Sequence, residues 1–187
     1  NWSDGAGIGS IDPAGNWFLD RHELRGKFVV QYSGNMGRAH EFGTLLGAAE
    51  RLAGRDDIVF LFIGEGVRRA EVEAAASRLP NLKLLPYQRR EDLPYSLGAA
   101  DLCLITLRDG LEGLIVPSKL YGCMAAAKPV AFVGPERCEV AEVLRTSFAG
   151  GVFRIGDAAG LATWIEELAA DRRAACEMGR RAREAYL

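Results

Sequence analysis

The chain reads as an α/β domain, a doubly wound Rossmann-like parallel sheet of about six strands with helices on both faces. Three observations lead there. Short, nearly unbroken runs of apolar, β-branched and aromatic residues recur along the sequence, as strands buried on both faces require. The segments between them repeat their apolar residues at steps of three and four, the period of a helix packed by one stripe. Glycine and proline cluster where each run ends, marking turns. Strands alternating with helices in this way build a parallel sheet.

Taken in order, residues 1–26 are interrupted by Gly5, Gly7, Gly9, Pro13 and Gly15. They read as an interdomain linker that docks on the folded domain, which spans 27–187. Asn1-Trp2-Ser3-Asp4 carries no initiator methionine and reads as the interior of a longer protein whose N-terminal half lies elsewhere. Lys27–Tyr32 (KFVVQY) is the first strand, closed by Ser33-Gly34-Asn35-Met36-Gly37. Phe42, Leu45, Leu46, Ala49, Leu52 and Ala53 form a helical stripe. Ile58–Ile63 is the second strand and exits through Gly64-Glu65-Gly66, ahead of a helix over 67–79. Leu82–Leu85 is the third strand, with Pro86-Tyr87-Gln88 as its exit. A short helix over Glu91–Ala99 leads to the fourth strand, Leu102–Leu107. A helix over 118–127, a strand at Pro129–Val133, a helix over Glu136–Leu144 and a last strand at Gly151–Ile155 come next. Asp157 caps a helix carrying Leu161, Trp164, Ile165 and Leu168. A basic, alanine-rich helix over 171–186 ends the chain.

Composition narrows the function classes. Of 187 residues, 49% are hydrophobic and 26% charged, the balance of a globular chain with a core. The 23 basic and 25 acidic residues leave a net charge of −2. Such a surface has no global attraction for nucleic acid, so any phosphate recognition is local. Cys103, Cys123, Cys138 and Cys176 lack metal-ligand spacing, and three of them sit in apolar patterns. They read as reduced thiols, which points to a reducing, cytoplasmic setting. No apolar run reaches the roughly 18 residues that a membrane span needs.

In an open parallel sheet the ligand lies beyond the carboxyl ends of the strands, near the switch in strand order. The strand exits are therefore where chemistry belongs. Gly34 and Gly37 let backbone approach a ligand, and the helix after them is expected to offer free N–H groups, a geometry suited to a diphosphate. The spacing is not the three-glycine dinucleotide fingerprint, and no acid closes the second strand. Gly64-Glu65-Gly66 suits a tight turn or a backbone wall beside a nucleotide. Tyr87 and Gln88 suit the framing of a base or an exposed loop. Pro117 and Ser118 form a helix start. Lys119 is then a cation in the first turn, where the helix dipole disfavours it by about 0.3–1 kcal/mol and a bound anion would relieve it.

Together these residues resemble a known family. Asn1-Trp2-Ser3-Asp4, Tyr32-Ser-Gly-Asn-Met-Gly37, Gly64-x-Gly66, Leu85-Pro-Tyr-Gln88, Ala100-Asp101 and Pro117-Ser-Lys-Leu-Tyr121…Lys128-Pro-Val130 keep the order seen in the C-terminal domain of family 4 glycosyltransferases. The branch that builds bacterial surface polysaccharides is the most similar. The resemblance implies one half of a GT-B architecture that holds a nucleotide sugar, most simply a UDP-sugar, and transfers its sugar with retention and without a metal or other cofactor. The acceptor, a glycan or a lipid-linked molecule at the inner membrane surface, would meet the other half, so this half alone would bind without turnover. It places Gly34, Asn35, Gly37, Arg38, His40, Ser118 and Lys119 at the diphosphate, with Lys119 as the catalytic cation. Gly64, Gly66, Tyr87, Gln88 and Tyr121 fall to base and ribose. Many members carry an arginine and a lysine where this chain has Asn35 and His40, and glutamates where it has Leu114 and Gly122. Those departures keep open a non-catalytic binding or interaction domain, whereas the absent glutamate and the Pro-Ser-Lys pattern count against a GT-B-fold sugar-nucleotide epimerase, and the missing fingerprint and acidic residue against a dehydrogenase domain.

Overall fold

A computed structural model describes residues 11–112 and 119–187; the expectations for Asn1-Trp2-Ser3-Asp4, for Leu114 and for Pro117 and Ser118 lie outside the described residues. Six strands form one parallel sheet in the order β3-β2-β1-β4-β5-β6. They are β1 (Phe28–Ser33), β2 (Ile58–Ile63), β3 (Leu82–Leu85), β4 (Leu102–Thr106), β5 (Val130–Val133) and β6 (Gly150–Phe153). The helices are α1 (Trp17–Arg21), α2 (Gly43–Arg51), α3 (Arg69–Ala76), α4 (Leu93–Gly98), α5 (Lys119–Ala125), α6 (Glu139–Ser147), α7 (Ala158–Ala170) and α8 (Arg172–Tyr186). The doubly wound sheet is the one expected, with the strand order reversing between β1 and β4.

The central strands are apolar because both faces are covered. All six side chains of β2 are buried, and β1 is paired with it over its whole length, from Phe28 opposite Ile58 to Ser33 opposite Ile63. Alternation along β1 sends Phe28, Val30 and Tyr32 into one core with Leu45 of α2, Val72 of α3 and Leu161 of α7. Val29 faces the other side, among Phe18 of α1, Leu24 and Ala99. Beyond β4, Ile105 and Phe132 pack with Leu120 and Met124 of α5 and Val140 of α6.

One segment differs from the sequence reading, and α8 follows that reading. Residues 12–26 are more than loop: Asn16 accepts from the Phe18 amide to cap α1, and its own amide group donates to the Tyr95 carbonyl at 2.9 Å. With Phe18 and Leu24 fully enclosed, this stretch is part of the core. Five residues of helix between glycines are too few to show a period. The arginines of α8 are also locally satisfied, Arg180 on Glu177 and Glu184, Arg181 on Glu177, and Arg183 on the Ala125 carbonyl of α5. Pairing within the helix and packing on α5 account for the charge density.

Candidate site at the sheet switch point

The first-strand exit is held open by stitching to its neighbour. The Gly34 amide donates to Ile63, the Met36 amide to Glu65 and the Arg68 amide to Met36, all on backbone carbonyls. Gly64, at φ +144°, makes this possible, since a Cβ there would stand 2.0 Å from the Gly34 carbonyl oxygen. The Tyr32 hydroxyl donates to the Asn35 carbonyl at 2.7 Å. Among the described residues, the amides of Asn35, Gly37, Arg38 and Ala39 have no partner. Four unpartnered N–H groups in one exposed turn are what an anion needs.

The expected contribution of the following helix is not available. α2 begins only at Gly43, and its Thr44 amide is already bonded to both carboxylate oxygens of Glu41, at 3.2 and 3.1 Å. The chain's own anion occupies that helix terminus, so donors come from the turn before it.

Lys119, the first residue of α5, crosses from the β4 side to this turn. A Cβ on Gly34, where φ is +139°, would lie 2.3 Å from Lys119 Cε, so the lysine stem occupies the space that only glycine leaves free. Its Nζ sits 5.0 Å from the centre of the Tyr32 ring and 3.0 Å from His40 Nε2. His40 Nδ1 is 2.7 Å from the Thr106 carbonyl, the last residue of β4. A carbonyl only accepts, so the imidazole proton is on Nδ1, and Nε2 accepts from the ammonium. Burial, with help from Lys119, pushes the His40 pKa down to about 4 and keeps the ring neutral. Burial likewise lowers Lys119 to about 8, still cationic at neutral pH. The desolvated ammonium therefore has a neutral ring, and no carboxylate, as its hydrogen-bond partner among the described residues.

The sequence-predicted residues divide accordingly. Gly34, Asn35, Gly37, His40 and Lys119 come together, with Arg38 exposed at the rim. His40, read from sequence as a diphosphate ligand, is 8% exposed and directed at Lys119 and Thr106, where it orients the cation. Gly64 and Gly66 lie against Gly34 and Met36. Tyr87 is exposed, with Glu65 among its neighbours, whereas Gln88 bonds back to the Pro86 carbonyl within its own loop. Tyr121 does not join this group; its hydroxyl donates to Glu139 of α6 at 3.0 Å, on the far side of α5. A tyrosine two positions after the lysine points elsewhere around a helix of 3.6 residues per turn. Ala100-Asp101 and Lys128-Pro129 sit at the opposite rim, where Asp101 accepts from the Val29 amide and Lys128 donates to the Gly98 carbonyl. Those pieces of the pattern hold the sheet.

Arg108, which the sequence reading passed over, leaves β4 beside the site. Its amide donates to the Ala39 carbonyl, and with Arg38, Glu41 and Asp109 it lines a cleft of about 740 Å³. Neither arginine side chain has a partner among the described residues. The signal for Arg108 was its place two residues past β4, the strand next to β1 in a 3-2-1-4 order.

With this geometry in view, comparison with known proteins is informative. The sequence pattern described as Glycosyl transferases group 1 matches residues 27–171. The chain is 33% identical over 156 residues to the probable glycosyltransferase WbjE of Pseudomonas aeruginosa, covering 81% of this chain and 38% of that protein. In fold it is similar to Anabaena HepE, solved in complex with UDP-glucose, with a TM-score of 0.76 at 18% identity over 94% of this chain and 48% of that one. It is also similar to the C-terminal domain of the group 1 glycosyl transferase LpcC from Francisella tularensis, with a TM-score of 0.73 at 13% identity, covering 97% and 95% of the two chains. The chain thus spans well under half the length of the curated relative.

Proposed function

This chain belongs to the group 1 glycosyl transferases, and from that membership we propose that it is the donor-binding half of a retaining enzyme that moves a sugar from a UDP-sugar to a glycan or lipid-linked acceptor in bacterial surface-polysaccharide synthesis, on the cytoplasmic side of the inner membrane. The observation that carries this reading is the Lys119 ammonium, desolvated, oriented by His40 and lying on Gly34 at the point where strand order reverses. The names of the similar proteins support a sugar nucleotide as the ligand class, WbjE as a glycosyltransferase and HepE through its UDP-glucose complex.

In this reading the diphosphate lies over the 35–39 turn, its oxygens accepting from the free amides and from Lys119, with Arg38 and Arg108 at the edge of the cleft. When the bond from the sugar to the β-phosphate oxygen breaks, negative charge grows on the leaving diphosphate. Donors already aimed at that oxygen stabilise the transition state more than the ground state. Lysine suits the task as a flexible point charge. No metal enters this scheme; turnover by the full-length enzyme that is unchanged in EDTA is the expected result.

Calorimetric titration of UDP into the wild type and Lys119→Ala tests the assignment. Loss of a charge-assisted contact of about 1.5–3 kcal/mol weakens binding roughly ten- to hundred-fold. Equal affinities would remove Lys119 from the site.

A further inference from the structure

Beneath Lys119, on the α4 and α5 side of the sheet, is a small cavity of about 20 Å³. Gln31 of β1, Ser33, Leu97, Cys103, Lys119, Gly122 and Cys123 surround it. Gln31 is 1% exposed, and both polar atoms of its amide lack a hydrogen-bond partner among the described residues. Gln31 lies between Val30 and Tyr32, which face the apolar core, and its alternation sends it to this cavity instead. A buried amide with neither end satisfied is costly, and β1 is otherwise free of that cost. On the facing helix, Gly122 is buried, yet a Cβ built there meets no atom of the described residues within 4 Å. The wall of α5 is therefore left open at the point that faces the glutamine.

The volume suits one object of about the size of a water oxygen, and the amide supplies one donor and one acceptor to it. A hydroxyl group has that size and can both accept and donate. Because Lys119 forms part of the wall, a group entering the cavity comes from a ligand already at the ammonium. We propose that this cavity is a hydroxyl socket, in which Gln31 reads one hydroxyl of a sugar ring attached to the diphosphate held at Lys119. The inference rests on the donor-binding reading above. A nucleoside diphosphate sugar has a ring on each side of its diphosphate, so the hydroxyl belongs either to the ribose or to the transferred sugar. In both cases a site that bonds a hydroxyl discriminates against the analogue without it, because the amide is then left unpaired.

The test compares wild type with Gln31→Met, which keeps the side-chain length and removes both polar atoms, and with Gly122→Ala, which puts a methyl group into the socket. Each is titrated with pyrophosphate, UDP, 2′-deoxy-UDP, 3′-deoxy-UDP and UDP-glucose, and each is melted without ligand. Pyrophosphate is expected to bind all three proteins equally. A ribose hydroxyl in the socket shows as a three- to ten-fold loss of UDP affinity in both variants, with the matching deoxy analogue binding wild type and variants alike. A hydroxyl of the transferred sugar leaves UDP unchanged and weakens UDP-glucose by the same factor. Melting temperatures of the variants stay level or rise, since an unsatisfied amide or a helical glycine has been removed. Equal affinities of all five ligands for wild type and both variants would overturn the socket and leave the Lys119 site standing. A lowered melting temperature of Gln31→Met with unchanged affinities would identify Gln31 as the holder of a structural water and overturn it equally. Failure of wild type to bind UDP or pyrophosphate would remove the donor-binding reading and the socket with it.

Discussion

The imidazole of His40 and the ammonium of Lys119 form one unit whose two stability signatures share a sign and occupy separate pH windows. The Lys119 pKa of about 8 lies below its ordinary 10.5, so between these values the unfolded chain binds more protons than the folded one. Stability of the unliganded chain therefore rises as pH climbs through that window. The same deprotonation removes the charge that meets the diphosphate, so UDP affinity falls as pH passes about 8. Chemical unfolding and UDP titration from pH 7 to 10.5 should diverge in sign, and Lys119→Met should flatten both curves. His40 acts on the acid side. Its folded pKa of about 4 lies below the ordinary 6.5, so stability is complete above 6.5 and is lost as pH falls toward 4. His22, also lowered by burial and by Arg21 and Lys83, adds to that limb. His40→Gln should remove only its own share, seen as a shallower decline of unfolding free energy between pH 6.5 and 4 against wild type. An unchanged acid slope would show that the ring is not held neutral by burial.

At the scale of elements, the segment ahead of β1 gives the most direct test of packing. Asn16 is fully buried, caps α1 and ties it to α4 through the Tyr95 carbonyl. Asn16→Ala removes a helix cap and leaves the Tyr95 carbonyl without this donor, a cost of about 2 kcal/mol. For a chain of this length that corresponds to a melting temperature lower by roughly 4–8 °C in scanning calorimetry. A smaller shift, under about 1 °C, would make this segment peripheral to the core. The contrast with what the sequence disclosed is physical. β2 was legible to the residue because burial on both faces leaves Ile58–Ile63 uniformly apolar. α7 was legible because Asp157 caps it, accepting from Gly160 at 2.9 Å. α1 was not, since a five-residue helix is fixed by contacts from Tyr95 and Val29 rather than by its own period. The site divided in the same way. Gly34 and Lys119 stood out as residues awkward for their local structure, a φ of +139° and a cation in a first turn. Gln31 looked like one polar residue in a strand, and its orphaned amide exists only once Gly122 and Cys123 are placed opposite. The capping of α2 by Glu41 was likewise invisible until the helix start was fixed at Gly43, where a carboxylate two residues earlier can reach Thr44.

At the scale of the molecule, the sheet divides its two rims between separate duties. The rim at the N-terminal strand ends is closed by structural bonds, Asp101 to the Val29 amide, Arg172 to Asp101 and Lys128 to Gly98. The opposite rim gathers the desolvated Lys119, the free amides of the 35–39 turn and the two arginines of the cleft. Glu41 and Asp109 share the wall of that cleft, so the anion-seeking groups are concentrated at Lys119 and the turn. A transfer reaction needs its acceptor hydroxyl held in line with the sugar carbon, which adds a large entropic term to any rate. The curated relative is more than twice as long as the stretch it shares with this chain. We propose that acceptor positioning lies outside these 187 residues. The 187-residue chain alone should bind UDP with an affinity within a few-fold of a full-length enzyme, because Lys119 and the free amides of the 35–39 turn both lie within it. Its rate of sugar transfer to any acceptor should stay at background. The two quantities are separable by titrating UDP and by following UDP release from UDP-sugar with each protein. Transfer by the isolated chain at the full-length rate would place the acceptor site on this domain, and loss of UDP affinity on isolation would mean that the other half completes the diphosphate site itself.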